Sequence, residues 1–185
     1  MLIYYTATTL DGFIADPDDS LDWLLRQEGE PDEAFGFEAF MARVGAAVMG
    51  STTYEWILAH GAGTDEPWPY TVPTWVMSSR DLPQVEGADL RFASGDVRPV
   101  HAAMREAAGD RDLWLVGGGG LAGRFADAGL LDEVVVSVAP VTLGSGRPLL
   151  PRRLDLELVE TARGGAFVSS RFRVAGPLQE DRRQG

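Results

Sequence analysis

Apolar residues along the chain fall into short runs, and most runs give way to stretches in which they recur every three or four positions. The first pattern predicts buried strands and the second predicts amphipathic helices. Leu2 to Thr9, β-branched and aromatic, predicts a first strand that stops at the turn dipeptide Asp11-Gly12, with Phe13-Ile14-Ala15 continuing it briefly. Asp16 to Ser20 has the composition of a loop, and Asp19 or Ser20 can cap a short helix through Leu25. After an acidic loop at 27–32, the spacing of Phe35, Phe37, Phe40, Met41 and Val44 predicts a helix over Asp32 to Val44.

Further strands are predicted at Ala46–Met49, Thr74–Met77, Leu90–Ala93 and Asp112–Val116. Helices are predicted at Tyr54–Ala59, Val97–Ala108 and Leu121–Ala128, with a Gly/Pro-rich loop at 61–72. Glu133 to Val141 is nearly all apolar and predicts a central strand. Leu156–Thr161 and Ala166–Val174, joined through Gly164-Gly165, predict a closing hairpin. This alternation predicts an α/β fold: one domain over residues 1–176 on a mostly parallel sheet with an antiparallel edge, then a frayed polar tail, 177–185.

Composition narrows the chemistry. The formal net charge is −12, all 16 basic residues are arginine, and cysteine is absent. General nucleic-acid binding needs clustered positive charge and is not expected. A disulfide framework, zinc ribbon or thiol nucleophile needs cysteine; Schiff-base chemistry and the P-loop need lysine. The two histidines, His60 and His101, lack ligand spacing, so no metal site is expected. Met1 to Tyr5 reads as a first strand and not as a signal peptide, and no apolar run approaches the ~18–20 residues that span a bilayer. A soluble cytoplasmic protein without membrane partners is the expectation.

Four motifs carry candidate chemistry. Gly117 to Gly120 stand between a strand and a helix, where glycines let the backbone approach a pyrophosphate and the new helix offers free N–H groups. Gly50-Ser51-Thr52-Thr53 repeats the strand, glycine, helix order; Thr53 is either a plain cap or a phosphate donor. Ser78-Ser79-Arg80 ends a strand with two hydroxyls and a guanidinium, suited to a phosphomonoester or simply solvated. Asp11-Gly12 reads first as a turn, and Trp23 as packing or a pocket wall.

Taken in order, these motifs resemble the dihydrofolate reductase superfamily, especially its branch shared with the C-terminal reductase domain of bacterial riboflavin biosynthesis. Leu10-Asp11-Gly12-Phe13-Ile14-Ala15 is similar to that branch's opening, and Val48-Met49-Gly50-Ser51-Thr52-Thr53-Tyr54-Glu55 to its G-x-x-T-[YW]-E turn. Ser78-Ser79-Arg80 resembles its Ser-rich strand end. Val116-Gly117-Gly118-Gly119 resembles its glycine turn, in which the family has a cis Gly–Gly peptide. Ala139-Pro140-Val141-Thr142-Leu143-Gly144-Ser145-Gly146-Arg147-Pro148-Leu149 resembles its "APVLLGGGRPLF" segment.

The resemblance implies a three-layer α/β/α fold and an NADPH-dependent reductase, with a homodimer as common among such relatives. Ala7 and Ile14 would hold the nicotinamide amide. Gly50, Ser51, Thr52 and Thr53 would take the pyrophosphate from one side, and Gly117, Gly118, Gly119, Gly120 and Leu121 from the other. Ser78, Ser79 and Arg80 would bind the 2′-phosphate. Asp11, Trp23 and Ser137 would face the nicotinamide end, the proton coming from water or Asp11. The implied substrate is a small heterocycle or a ribosylamino-pyrimidine. The alternatives are a nucleotide-binding module without catalysis and a true folate reductase. Two departures stand out. Ala34 falls where folate reductases carry their acid, and Tyr54-Glu55-Trp56-Ile57-Leu58 replaces the Asp-Asp-Pro and arginine that hold the ribose phosphate in riboflavin-type reductases.

Overall fold

A computed structural model describes residues 1–61 and 66–182. The predicted loop at 61–72 lies partly outside the described residues. Eight strands form one sheet in the order β5-β4-β3-β6-β1-β7-β10-β9. The strands are β1 (Leu2–Thr9), β3 (Val44–Gly50), β4 (Thr74–Met77), β5 (Leu90–Ala93), β6 (Asp112–Gly117), β7 (Glu133–Ala139), β9 (Leu154–Gly164) and β10 (Phe167–Pro177). The six strands from β5 to β7 are mutually parallel; β10 pairs antiparallel with β7, and β9 with β10. A separate two-stranded pair joins β2 (Phe13–Ala15) to β8 (Arg147–Pro148).

The strand period of two sorts the core into two faces. Leu2, Tyr4, Ala46, Val48, Leu113, Leu115, Val134 and Val136 are buried on one, under α4 (Val97–Ala108) and α5 (Gly119–Asp127) through Val100, Met104 and Phe125. Ile3, Ala47, Trp114 and Val135 point the other way, under Phe35 and Phe40. Met49 and Val76 share that second face with Tyr54 and Ile57 of α3 (Ser51–Ala59). Helices on both faces give the three-layer α/β/α arrangement.

Three elements differ from the sequence expectation. The helix expected over Asp32 to Val44 is a 3-10 turn, Glu33–Phe35, then α2 (Phe37–Met41), because extended Gly36 breaks it and Val44 already belongs to β3. The aromatic spacing that predicted one helix is met instead by Tyr5 stacking on Phe40 at 4.3 Å, with Phe37 and Phe40 edge-on to Trp114. In the tail, β10 runs on to Pro177, and a short helix, Gln179–Arg182, follows. The short α1 (Asp22–Leu25) has Leu21 in the cap position, although the Ser20 hydroxyl accepts the Asp22 N–H at 3.1 Å.

Candidate functional site

The carboxyl ends of β3 and β6 lie side by side, each turning into a helix through glycine, and ligands in parallel α/β sheets bind at such ends. The two turns nearly touch: a Cβ on Gly50 would lie 3.8 Å from the Gly117 carbonyl oxygen. Gly50 is the N-cap of α3 and Gly118 that of α5, and neither terminus is capped by a side chain. By contrast, Asp96 caps α4 by accepting the Arg98 N–H. The first-turn donors of α3 and α5 therefore converge, with the positive ends of both dipoles, on one region. The Gly117–Gly118 peptide bond is cis.

That region is a cleft of about 660 Å³. Ile14, Gly50, Ser51, Thr52, Thr53 and the run Gly117 to Leu121 all line it, so the structure brings these candidate residues together. Thr53 does not act as a cap: it stands in the first turn of α3, where its hydroxyl would lie 3.4 Å from a Cβ on Gly117. Trp56, Ile57, Tyr70 and Met77 supply an apolar wall.

Sequence reasoning passed over two lining cations, Arg124 and Arg147. Arg124 of α5 donates to the Gly95 carbonyl oxygen. Arg147 makes a paired contact with Asp19, at 2.6 and 2.8 Å, which raises the guanidinium's pKa and holds the Asp19 carboxyl below its usual range. In a chain whose cations are all arginine, residue type could not distinguish these two. Arg147 is placed by β8, whose neighbouring backbone leaves no room for a side chain on the first residue of α5. A Cβ at Gly119 would lie 2.1 Å from the Pro148 oxygen and 2.4 Å from that of Leu149.

The remaining candidates lie elsewhere. Ser78, Ser79 and Arg80 are not in the cleft lining, and the Arg80 guanidinium is bidentate on Glu55, at 2.9 and 2.7 Å. The hydrogen bonds to Glu55 raise the pKa of the Arg80 guanidinium, and both side chains are largely exposed. Asp11 is not in the cleft lining either. Its carboxylate accepts the Thr9 hydroxyl at 2.5 Å and the N–H groups of Leu143 and Gly144 at 3.0 and 2.7 Å. The Thr9 hydroxyl above all, then these amides, hold it ionised below the usual range, which suits a clamp better than a proton donor. Trp23 is packed, 4 % exposed, with Ala139 and Phe167.

Ala7 and Ser137 line a second cavity, of about 290 Å³, with Tyr5, Leu24, Gln27, Glu30 and Phe167. Thr6 lines both spaces, so they adjoin at β1, with Ile14 on one side and Ala7 on the other. The Ser137 and Ser169 hydroxyls are buried and hydrogen-bonded at 2.8 Å. Tyr5 donates to the Phe35 carbonyl, and its phenol is pushed up to about 12, first by burial and next by the Glu30 carboxylate. Among the described residues, no group of acidic and histidine side chains could hold a metal ion, and no helix is long and apolar enough to cross a membrane.

Comparison with known proteins agrees with this fold. The family model described as the RibD C-terminal domain matches residues 68–167. An uncharacterised Bacillus subtilis protein, YwjB, is 31% identical over 92% of this chain and 95% of its own length. Among solved structures, a putative riboflavin biosynthesis protein from Shewanella sp. PV-4 superposes with a TM-score of 0.76 at 29% identity, covering 94% of this chain and 98% of that one. Dihydrofolate reductase from Enterococcus faecalis, solved with NADP(H), superposes at 0.60 over 95% and 96% of the two chains; at 16% identity this likeness concerns the fold.

Proposed function

Because the chain belongs to the RibD C-terminal domain family, we propose that it is a reductase that binds NADPH in the 660 Å³ cleft and reduces a small heterocycle. One observation carries this reading. Two helix N-termini without side-chain caps converge on a cleft whose end adjoins a second cavity through Thr6.

The residues present fit a dinucleotide. Backbone N–H groups at Ser51–Thr53 and at Gly119 and Gly120 are suited to a pyrophosphate, while that of Leu121 already donates to the Gly118 carbonyl. Arg124 and Arg147 add local positive charge, and Trp56 and Tyr70 offer aromatic surface. The overall charge of −12 gives a polyanion no long-range attraction, so affinity has to be local. A reduced nicotinamide supplies hydride. The part left to the chain is orientation. Ile14 lies on the cleft side of Thr6, while Ala7, the Ser137 hydroxyl and Gln27 lie on the side of the second cavity, where the acceptor would sit. With Asp11 clamped as a carboxylate, water is the proton source this arrangement favours.

Thermal unfolding measured with NADPH and with NADH at millimolar concentration tests the reading. Stabilisation by NADPH, weaker by NADH, is expected, since a ligand bound to the native state raises the melting temperature. No shift with either overturns it.

A further inference from the structure

The second cavity differs from the cleft in its charge. Its lining among the described residues contains no arginine, and its one ionised group is the Glu30 carboxylate at the rim. No cation on the neighbouring segments belongs to the lining. Arg171 reaches Glu133 and Glu160 and lies over the Phe35 ring, while Arg26 and Arg163 are outside the lining. The remaining polar side chains are neutral: the buried Ser137–Ser169 hydroxyl pair, the Thr6 hydroxyl, the Tyr5 phenol and the Gln27 amide, which donates to the Trp23 carbonyl.

Glycine contacts set where Glu30 stands. The loop at 29–32 is pressed onto the tip of the β9–β10 hairpin. A Cβ on Gly165 would lie 3.0 Å from the Glu30 carbonyl oxygen, one on Gly164 2.0 Å from the Asp32 nitrogen, and one on Gly29 3.0 Å from the Gly165 Cα. The double glycine of the hairpin thus lets the loop close against the sheet. The carboxylate is near enough to add to the raised pKa of Tyr5, whose side chain lines the same cavity.

We propose that Glu30 is a specificity-determining residue: it opens the second cavity to uncharged or cationic small molecules and disfavours phosphate esters and other anions. The proposal rests on the reductase reading in naming the occupant as the hydride acceptor; the charge selectivity stands on the cavity itself. An exposed carboxylate at the mouth of a cavity walled by Ala7, Leu24 and Phe167 repels a dianion locally at low salt, whatever the net charge elsewhere. The two spaces then divide their ligands by charge, with phosphates directed to the glycine cleft and the acceptor, lacking one, to the cavity. A ribosylamino-pyrimidine would enter without its phosphate.

The test is a titration of the full chain, without cofactor, with uridine and with uridine 5′-monophosphate at millimolar concentration and low salt, following the backbone amide signals of Ala7 and Phe167. Uridine should shift both signals, and the monophosphate should bind at least about fivefold more weakly. Glu30→Gln should bring the two affinities together by raising that of the monophosphate, while Glu28→Gln, on the same loop but outside the lining, should leave the ratio unchanged. Equal binding in the unmodified protein, an unchanged ratio in Glu30→Gln, the same change in Glu28→Gln, or no shift by either probe would overturn the proposal. NADPH plays no part in this titration, so a failed cofactor experiment and a failed selectivity experiment are separate results.

Discussion

The glycine cleft and the second cavity share one residue, Thr6, and are built in opposite ways. The cleft is mainly backbone: two strand ends, two helix starts and a glycine run, with arginines added at its edge. The cavity is mainly side chains from three strands, the short α1 and a loop, and its ionised group is a carboxylate. Backbone donors hold a feature that many ligands share, such as a pyrophosphate. Side chains on loops read what differs between substrates. On this argument the cleft states the class of cofactor and the cavity states which acceptor is reduced.

The sharpest way to break the contrast is at the first residue of α5. Gly119→Ala drives a methyl group into two backbone carbonyl oxygens that cannot step aside as a side chain can. It should cost about 1–3 kcal/mol or more, as overpacking does, read from a urea unfolding midpoint. Gly120→Ala is its internal control. Nothing lies within 4 Å of that Cβ, and replacing glycine inside a helix should stabilise by up to ~1 kcal/mol. Equal midpoints for the two variants would mean that β8 does not pack on α5 as described.

Gly164→Ala addresses the other region. Its Cβ would meet the Asp32 nitrogen at 2.0 Å, but loop and hairpin tip can separate, so the loss should be about 1–2 kcal/mol. Amide signals should change at Tyr5, Ala7 and residues 29–32, while stabilisation by NADPH persists. Loss of that stabilisation would show that the two spaces are not independently built.

The arginines sharpen the contrast by smaller steps. Arg124→Ala should weaken NADPH and NADH alike, by about tenfold, because a phosphate common to both loses a charge-assisted partner. Arg147→Ala should do so by only a few-fold, because its exposed guanidinium is already paired with Asp19. Arg80→Ala should weaken NADPH alone, and by a few-fold. Its guanidinium is exposed and already bound to Glu55, so what it gains from a 2′-phosphate is offset by what it gives up. Glu55→Gln should accordingly raise the preference for NADPH. Calorimetric dissociation constants for both cofactors check all four variants. Equal losses of NADPH and NADH on Arg80→Ala would remove it from the 2′-phosphate.

This division also explains what could be read from the amino-acid pattern. Glycines at strand ends announce themselves locally, so Gly50 and Gly117 to Gly120 were legible as one region, and a mostly parallel sheet followed from the alternation of strands and helices, though not its strand order. The second cavity is assembled from residues far apart in the chain: Ala7, Glu30, Ser137 and Phe167 have no common motif. Glu30 sat in an acidic loop that reads as plain surface, and only its contact with Gly165 gives it a position. Arg147 was visible within Gly146-Arg147-Pro148, yet its pairing with Asp19 depends on β8, a two-residue strand too short to leave a periodic signal. Asp11 shows the converse: its turn was legible, and its carboxylate is occupied in holding that turn to Leu143 and Gly144.

That clamp gives the smallest effect, one that should leave both spaces intact. The Asp11 carboxyl is held below its unfolded value of ~3.9, so its ionised form contributes stability above that pH and loses the contribution as pH falls through the lower, folded value. Asp11→Asn keeps the shape and removes the charge. At neutral pH the variant should melt slightly below the unmodified protein, since the Leu143 and Gly144 amides then donate to a neutral acceptor. Below the folded pKa the unmodified residue is itself protonated, and the two melting curves should merge. Uridine and NADPH should bind the variant as they bind the unmodified protein, because Asp11 touches neither space. A melting difference that persists in acid would mean that Asp11 contributes through shape and not through charge. Weakened NADPH at neutral pH would return its carboxylate to the nicotinamide end of the cleft.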